Sequence, residues 1–456
     1  ITAVTNAEGK ITTNVWDDAN RLRQVIRPLG LTTSHVYDNA NRRIQTTDAT
    51  GAITNYDYDE DGRLIELIDA RGKSTVYAYN DAGLLEATTD PETNVTTFQY
   101  DQAGRQKELI DPMGRITTTV YDSANRPNAV VNPLNKRFTT IYDKLGRPTA
   151  TVDPLGHRTT TLYDGVGRVT VTYDGEGNAT QTHYNTAGLK DRVTDPNGHV
   201  TTFQYDADHR PTIVINAEGS QIETVYDDAG RVIAIINEEA KRTTFTYNKI
   251  DQRLTIRNPL NQIHTFTYDA AGRMSSRLDA RNLLTEYFFD NVDRPVSRQY
   301  QDGTEYITQY DAVGNRILSV DDMSSGRYTT TYDYDDANRL VKTVHPGNKV
   351  VTLTWKADSQ RETMVAPDAG TFTYTYDTVG RLETISNPNG ETTTLVYDTA
   401  NRRIGQLLAN GVVTSLSYDD ANRLNEVESR NSSSVLLSSF NYLMDPAGNR
   451  TTLTRQ

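Results

Sequence analysis

Cysteine is absent from all 456 residues, which excludes a disulfide framework and any thiolate metal site. Histidine is scarce. The seven copies, His35, His157, His183, His199, His209, His264 and His345, occupy unrelated positions without ligand spacing, so no His-based metal or catalytic site is expected. No serine sits in a Gly-x-Ser-x-Gly elbow. Gly165-Val-Gly167 lacks the rest of a dinucleotide fingerprint. These gaps predict a chain that is not an enzyme and carries no cofactor. Positive charge is also short, since the net charge is −13, which argues against nucleic acid as a partner. No apolar run approaches the length of a membrane span, so membrane insertion is not expected. Only 36% of the residues are hydrophobic. That is lean for a two-sheet core and favours a single-layer sheet that is wet on part of both faces.

What is present is a period. An aromatic residue, usually Tyr followed by Asp, returns every 21 residues: Trp16, Tyr37, Tyr58, Tyr79, Tyr100, Tyr121, Tyr142, Tyr163 and onward to Tyr310. After a three-residue insertion the register resumes at Tyr334 and runs to Tyr418; after a second insertion it ends at Tyr442. Twenty-one registered copies mean a repeat architecture in which each unit contacts mainly its neighbours. The function of such a chain lies in shape: a wall, a container or a fibre.

Each repeat holds two turn signals. The first is Asp-x-x-Gly, as in Asp101-Gln-Ala-Gly104, where Asp opens a type I turn and the fourth position takes positive φ. That slot holds Gly62, Gly104, Gly146 and Gly167, or Asn at positions such as 20, 41 and 125. The second is Asp-Pro-x-Gly, as in Asp111-Pro-Met-Gly114; Asp or Asn opens it in twelve successive repeats, from Asp48 to Asp279. Between the turns lie runs of about six to eight residues rich in Thr, Val, Ile, Tyr and Leu, which are strands. The predicted fold is therefore all-β: a continuous antiparallel meander of about forty strands, one hairpin per repeat. In the second strand, alternation puts each periodic Tyr on the same face as the residue two before it. That position holds Tyr56, Tyr77, Phe98, Phe203, Phe245 and Phe266 among others, which predicts an aromatic ladder. Arg follows the first turn at fifteen equivalent positions, including Arg63, Arg105, Arg147 and Arg168, and is expected to pack on a neighbouring Tyr or pair with a turn Asp.

Asp57, Asp59 and Asp61 with Gly62 imitate the start of a calcium loop, but the position of the closing Glu is Ile68, so the EF-hand pattern fails. They are the one weak candidate metal site. Asn94, Asn178, Asn431 and Asn449 begin glycosylation sequons, at a frequency that a chain rich in Thr and Asn produces by chance. The insertions near Ser324-Ser325 and Asn431–Ser434 read as longer turns. The chain starts at Ile1 and both starts and stops partway through a repeat, so residues 1–456 are expected to be one shell segment of a longer polypeptide.

Copies such as Tyr142-Asp-Lys-Leu-Gly-Arg147, Tyr163-Asp-Gly-Val-Gly-Arg168 and Tyr376-Asp-Thr-Val-Gly-Arg381 resemble the YD or RHS repeat over essentially the whole chain. That family includes bacterial Rhs proteins, wall-associated proteins, the BC component of insecticidal Tc toxins, and animal teneurins. The resemblance implies a hollow β-shell. In the toxins it implies a cocoon around a C-terminal toxic domain, cut free by an aspartyl autoprotease. The core motif of that protease is absent here: Asp445-Pro-Ala-Gly448 is an ordinary repeat turn followed by Asn449-Arg450. What carries over is the wall. The leading expectation is a secreted or cell-surface scaffold that encapsulates a toxin polypeptide. The rival is an extracellular tube, sheath or filament, whose partners would be copies of itself. A teneurin-like adhesion module that binds a surface receptor or glycan comes third.

Overall fold

The computed structural model describes residues 2–456. Among them the chain forms 43 β-strands, two short 3₁₀ turns (Pro28–Gly30 and Pro346–Asn348) and no α-helix. Strands pair antiparallel with their neighbours in sequence, and the meander makes a single sheet. The run Pro127–Val131, Arg137–Tyr142, Pro148–Val152 and Arg158–Tyr163 is representative. β-branched and aromatic residues fill these strands, as a pleated, half-covered surface favours.

The two kinds of turn have one geometry. Gly146 N–H donates to the Asp143 carbonyl and Asp143 N–H to the Arg147 carbonyl; Asp153, Gly156 and His157 repeat the pattern on the other side of the strand pair. This is a type I turn closed by a residue of positive φ, with a register shift between Ile141 and Tyr142 where that bulge falls. Gly146 has φ +83° and Asn125, in the same slot, +64°. The slot is broader than the sequence suggested, because His209, Asp251, Asp293 and Ser359 also sit there with positive φ.

The sheet has almost no core. Leu31, Ala129, Ala150, Ala234 and Val320 are the buried apolar residues, and no large side chain among the described residues is fully enclosed. The accessible surface is 25948 Å². A compact protein of this length would expose roughly 17,000 Å². The excess is the signature of a single layer whose faces both meet solvent.

The chain divides into two compact units, Ile1–Val95 with Thr224–Ser359, and Thr96–Glu223 with Gln360–Gln456. Each unit thus joins two segments far apart in sequence. The insertions differ from the longer turns expected. The first is absorbed by lengthened strands, Arg316–Met323 and Gly326–Tyr334, which pair out to Met323 opposite Gly326 and leave a two-residue turn. The second lengthens Leu424–Arg430 and Leu436–Met444 around a turn of ordinary hydrogen bonding, Asn431–Ser434. Added pairing satisfies the extra backbone groups, which a longer loop would have left to solvent.

Candidate functional site: the turn ladder and the seam

In a repeat protein the functional element is whatever locks one repeat to the next. Here it starts with the turn aspartate. Asp143 Oδ1 accepts the N–H groups of Leu145 (2.8 Å) and Arg147 (3.0 Å). Its Oδ2 accepts Arg147 Nε at 2.7 Å. Arg147 then reaches into the next repeat: Nη1 donates to the Asp164 carbonyl at 3.2 Å, and the guanidinium lies 4.7 Å from the centre of the Tyr163 ring. Tyr163 in turn donates its hydroxyl to the Pro148 carbonyl at 2.7 Å. One aspartate, one arginine and one tyrosine therefore bolt two hairpins together. Guanidinium over an aromatic face is worth about 0.5–1 kcal/mol when partly exposed.

The bolt recurs along the chain. Arg63 pairs with Asp59 and covers Tyr79; Arg105 pairs with Asp101 and covers Tyr121; Arg168 pairs with Asp164 and covers Tyr184. The hydroxyls of Tyr37, Tyr58, Tyr121 and Tyr142 each donate to the carbonyl fifteen residues earlier, and Trp355 uses its indole N–H for the same bond. Tyr100 stands at the same bulge, opposite Gln106. Gly62, Gly104, Gly146 and Gly167 all close first turns at positive φ. The arginine therefore does both things expected of it, stacking on the Tyr and pairing with the Asp. The electrostatics agree. The side-chain hydrogen bond from Arg126 holds the Asp122 carboxyl below the usual carboxylate range. For Asp143 and Asp164 the largest cause of the same lowering is the backbone N–H of Arg147 and Arg168.

The three carboxylates singled out for Ca²⁺ do not converge. Asp59 and Asp61 both close on Arg63, at 2.7 and 2.8 Å, whereas Asp57 lies within the strand Ile53–Tyr58 opposite Glu66. No group of three His, Cys, Asp or Glu side chains able to hold a metal occurs among the described residues. No helix there is long and apolar enough to cross a membrane.

A second set of contacts was not foreseen. Within each unit, the second turns of the earlier segment abut the first turns of the later one, about 244 residues on. Glu8 Oε1 accepts Lys249 N–H at 3.0 Å and Glu92 Oε1 accepts Asp336 N–H at 2.8 Å in one unit. Glu176 Oε1 accepts Asp420 N–H at 2.7 Å in the other. Around them, Arg71 donates to the carbonyls of Asp335 (3.0 Å) and Asp336 (2.8 Å), Lys73 pairs with Asp336, and Arg27 with Asp293. In the second unit Asn197 donates to Asp445 and His157 Nε2 lies 3.4 Å from Asp420. Gly175 is there because of close approach: a Cβ would stand 1.8 Å from the Asp420 carbonyl oxygen. A cavity of about 1120 Å³ lies along the seam of the first unit, lined by Glu8, Lys10, Arg27, Arg231, Lys249 and Gln252 among others. The signal that could have found the seam is the 84-residue spacing of Glu8, Glu92 and Glu176, each the third residue of a second turn.

The teneurin YD-shell profile matches residues 2–195, 115–240 and 196–321, and the RHS-repeat profile matches residues 310–350 and 376–408. No curated protein matches the chain. Among solved structures, TcdB2-TccC3 without its hypervariable C-terminal region superimposes with a TM-score of 0.67 at 17% identity, over 96% of this chain and 28% of that one. The Photorhabdus luminescens Tc holotoxin pore superimposes with a TM-score of 0.66 at 16% identity, over 96% and 27%. TcdB2-TccC3-Cdc42 gives 0.62 at 15%, over 96% and 30%. The chain thus spans little more than a quarter of the length of the first two, and the likeness is one of fold.

Proposed function

Given that the chain belongs to the teneurin YD-shell family, a family of structural shells, we propose that it is a non-catalytic segment of wall enclosing a passenger, the toxin polypeptide of an exported bacterial toxin. The observation that carries this reading is the coreless sheet, bolted along its length by the Asp–Arg–Tyr ladder and closed within each unit by the seam. A sheet that buries almost nothing of its own has a face to spare for something else. Its resemblance to holotoxin chains more than three times its aligned length supports a place within a longer secreted polypeptide. The mechanism is sequestration: the wall keeps the passenger from substrate and proteases until release. No residue is assigned to autoproteolysis or toxicity.

Electron microscopy of the native particle, with the same material on a denaturing gel, tests this. The expected result is a hollow body holding lumen density, with a second polypeptide on the gel or one chain longer than 456 residues. An open tube with an empty lumen, built of one repeating chain, overturns the container and leaves a filament or sheath.

A further inference from the structure

Where a rim of second turns meets a rim of first turns, the seam makes one clasp twice. In the first unit, Asp336 at the tip of a first turn is held from two second turns. Its N–H donates to Glu92 Oε1 at 2.8 Å, and its carboxylate takes Lys73 Nζ at 2.8 Å. In the second unit, Asp420 donates its N–H to Glu176 Oε1 at 2.7 Å and faces His157 Nε2 at 3.4 Å. Each member of the second clasp stands 84 positions after its counterpart. The two tips share the run Tyr-Asp-Asp-Ala-Asn-Arg-Leu, at 334–340 and 418–424. One member differs in kind. Where the first clasp has a lysine the second has a histidine, the side chain whose charge turns over between about pH 5 and 8.

His157 lies between two carboxylates. Its Nδ1 is 2.9 Å from Asp153 Oδ2 in its own turn, and its Nε2 looks across the seam to Asp420 Oδ1. Ionised carboxylates only accept hydrogen bonds, and a neutral imidazole carries one N–H. The nearer Asp153 takes it, so the neutral ring turns a lone pair toward Asp420. A second proton makes Nε2 a donor and the ring a cation, and both carboxylates are then answered. Burial pushes the Asp153 carboxyl up, but the N–H groups of His157 and Leu155 outweigh it and hold it below the usual carboxylate range. The other charges on these turns are already engaged. In the opposing first turn Asp419 is paired with Arg423, and in the one before it Asp398 with Arg402. Glu176 takes the Asp420 N–H, and Arg158, next along the chain from His157, donates Nε to Thr160.

We propose that the clasp of the second unit is a proton-operated latch, closed by a charged His157 as the clasp of the first unit is closed by Lys73. The closed seam gains from the second proton. The latch is therefore complete in mild acid and slackens as pH rises through the histidine range, leaving Asp420 with Glu176 and no cation. Lysine keeps its charge throughout that range, so the clasp of the first unit does not respond. The latch rests on the seam geometry alone and is independent of the passenger.

Amide hydrogen exchange of the intact protein between about pH 5.5 and 8 tests it, read at Asp420 against Asp336. The shared run gives the two amides the same intrinsic rate, so Asp336 is an internal reference. Asp420 is 69% exposed, which keeps the effect modest. Protection at Asp420 relative to Asp336 is expected to fall about two- to fivefold as pH rises, the scale of an exposed ion pair. His157→Lys should hold the ratio level, and Lys73→His should transfer the pH dependence to Asp336. A native ratio that does not change with pH overturns the proposal, whether or not the variants fold. So does a ratio that still varies in His157→Lys, because another group would then be titrating.

Discussion

The turns Asp143–Arg147 and Asn185–Leu189 share a backbone and differ in what they hold. In the second, Asn185 Oδ1 accepts the N–H groups of Ala187 and Leu189, both at 3.0 Å, and Gly188 closes the turn as Gly146 does. No guanidinium is available to reach the next repeat. The hairpin forms regardless, and Tyr205 still bonds to the Lys190 carbonyl at 2.6 Å. The turn is therefore made by the Asx residue and the positive-φ slot, while the arginine is an added bolt between repeats. The opening residue follows suit. All fifteen arginines stand four residues after an Asp, whereas Leu84, Leu189 and Gln252 stand four after an Asn. A guanidinium is always answered by a carboxylate, and the three Asn-opened turns go without one; Asp311, whose Oδ2 accepts the Asn315 amide, and Lys356, followed by Gln360, depart from the pairing. Gln252 is intermediate: its amide donates to the Gly272 carbonyl at 2.7 Å, keeping the bridge without the charge.

This comparison can be broken by exchanging the two turns. Arg147→Leu removes the stack on Tyr163 and the bond to the Asp164 carbonyl, and leaves Asp143 without its cation. The Arg147 side chain is 28% exposed. After allowance for solvent screening, the expected loss is about 2 kcal/mol in chemical unfolding. Adding Asp143→Asn reproduces the natural Asn–Leu turn and should recover part of that loss; a double variant as unstable as the single one would dissolve the pairing argument. The reverse exchange, Asn185→Asp with Leu189→Arg, installs a bolt over Tyr205 and should raise stability by about 0.5–1 kcal/mol. The smallest effect is local and depends on pH. Asp143 titrates below the ordinary carboxylate range, chiefly because it accepts the Arg147 N–H. Its contribution is complete above the unfolded value of about 3.9 and fades as pH falls through the lower folded value. Amide exchange at Gly146 and Arg147 should therefore lose protection in acid, while Gly188 and Leu189, capped by the neutral Asn185, should not. Equal loss at both turns would show that the aspartate adds nothing the asparagine lacks.

The meander is legible in the sequence because each repeat states its structure locally. Asp101 through Gly104 specify a turn, Thr and Val specify strands, and the slot held by Gly146 or Asn125 specifies positive φ. The bolt was legible because Arg147 and Tyr163 recur in fixed register. The seam was not. Whether Glu92 meets Asp336 depends on how much twist and curvature accumulate over some 240 residues, and no single turn encodes that sum. The insertion at 324–325 misled for a related reason. Three extra residues look the same in sequence whether they loosen a turn or extend two strands, and only cross-strand pairing out to Met323 and Gly326 decides.

The seam also constrains how such a gene can change length. Units of 21 residues in one register can be gained or lost whole, and such a change leaves the remaining hairpins and their bolts intact. The ladder is blind to copy number. The seam counts it, because one unit gained between Glu92 and Asp336 moves each downstream tip one place along the opposing rim. Where the gain falls after Gly175, that glycine, fitted against the Asp420 carbonyl, would face a different turn. Heritable variation in length therefore passes freely through the local fold and is filtered only where distant repeats meet.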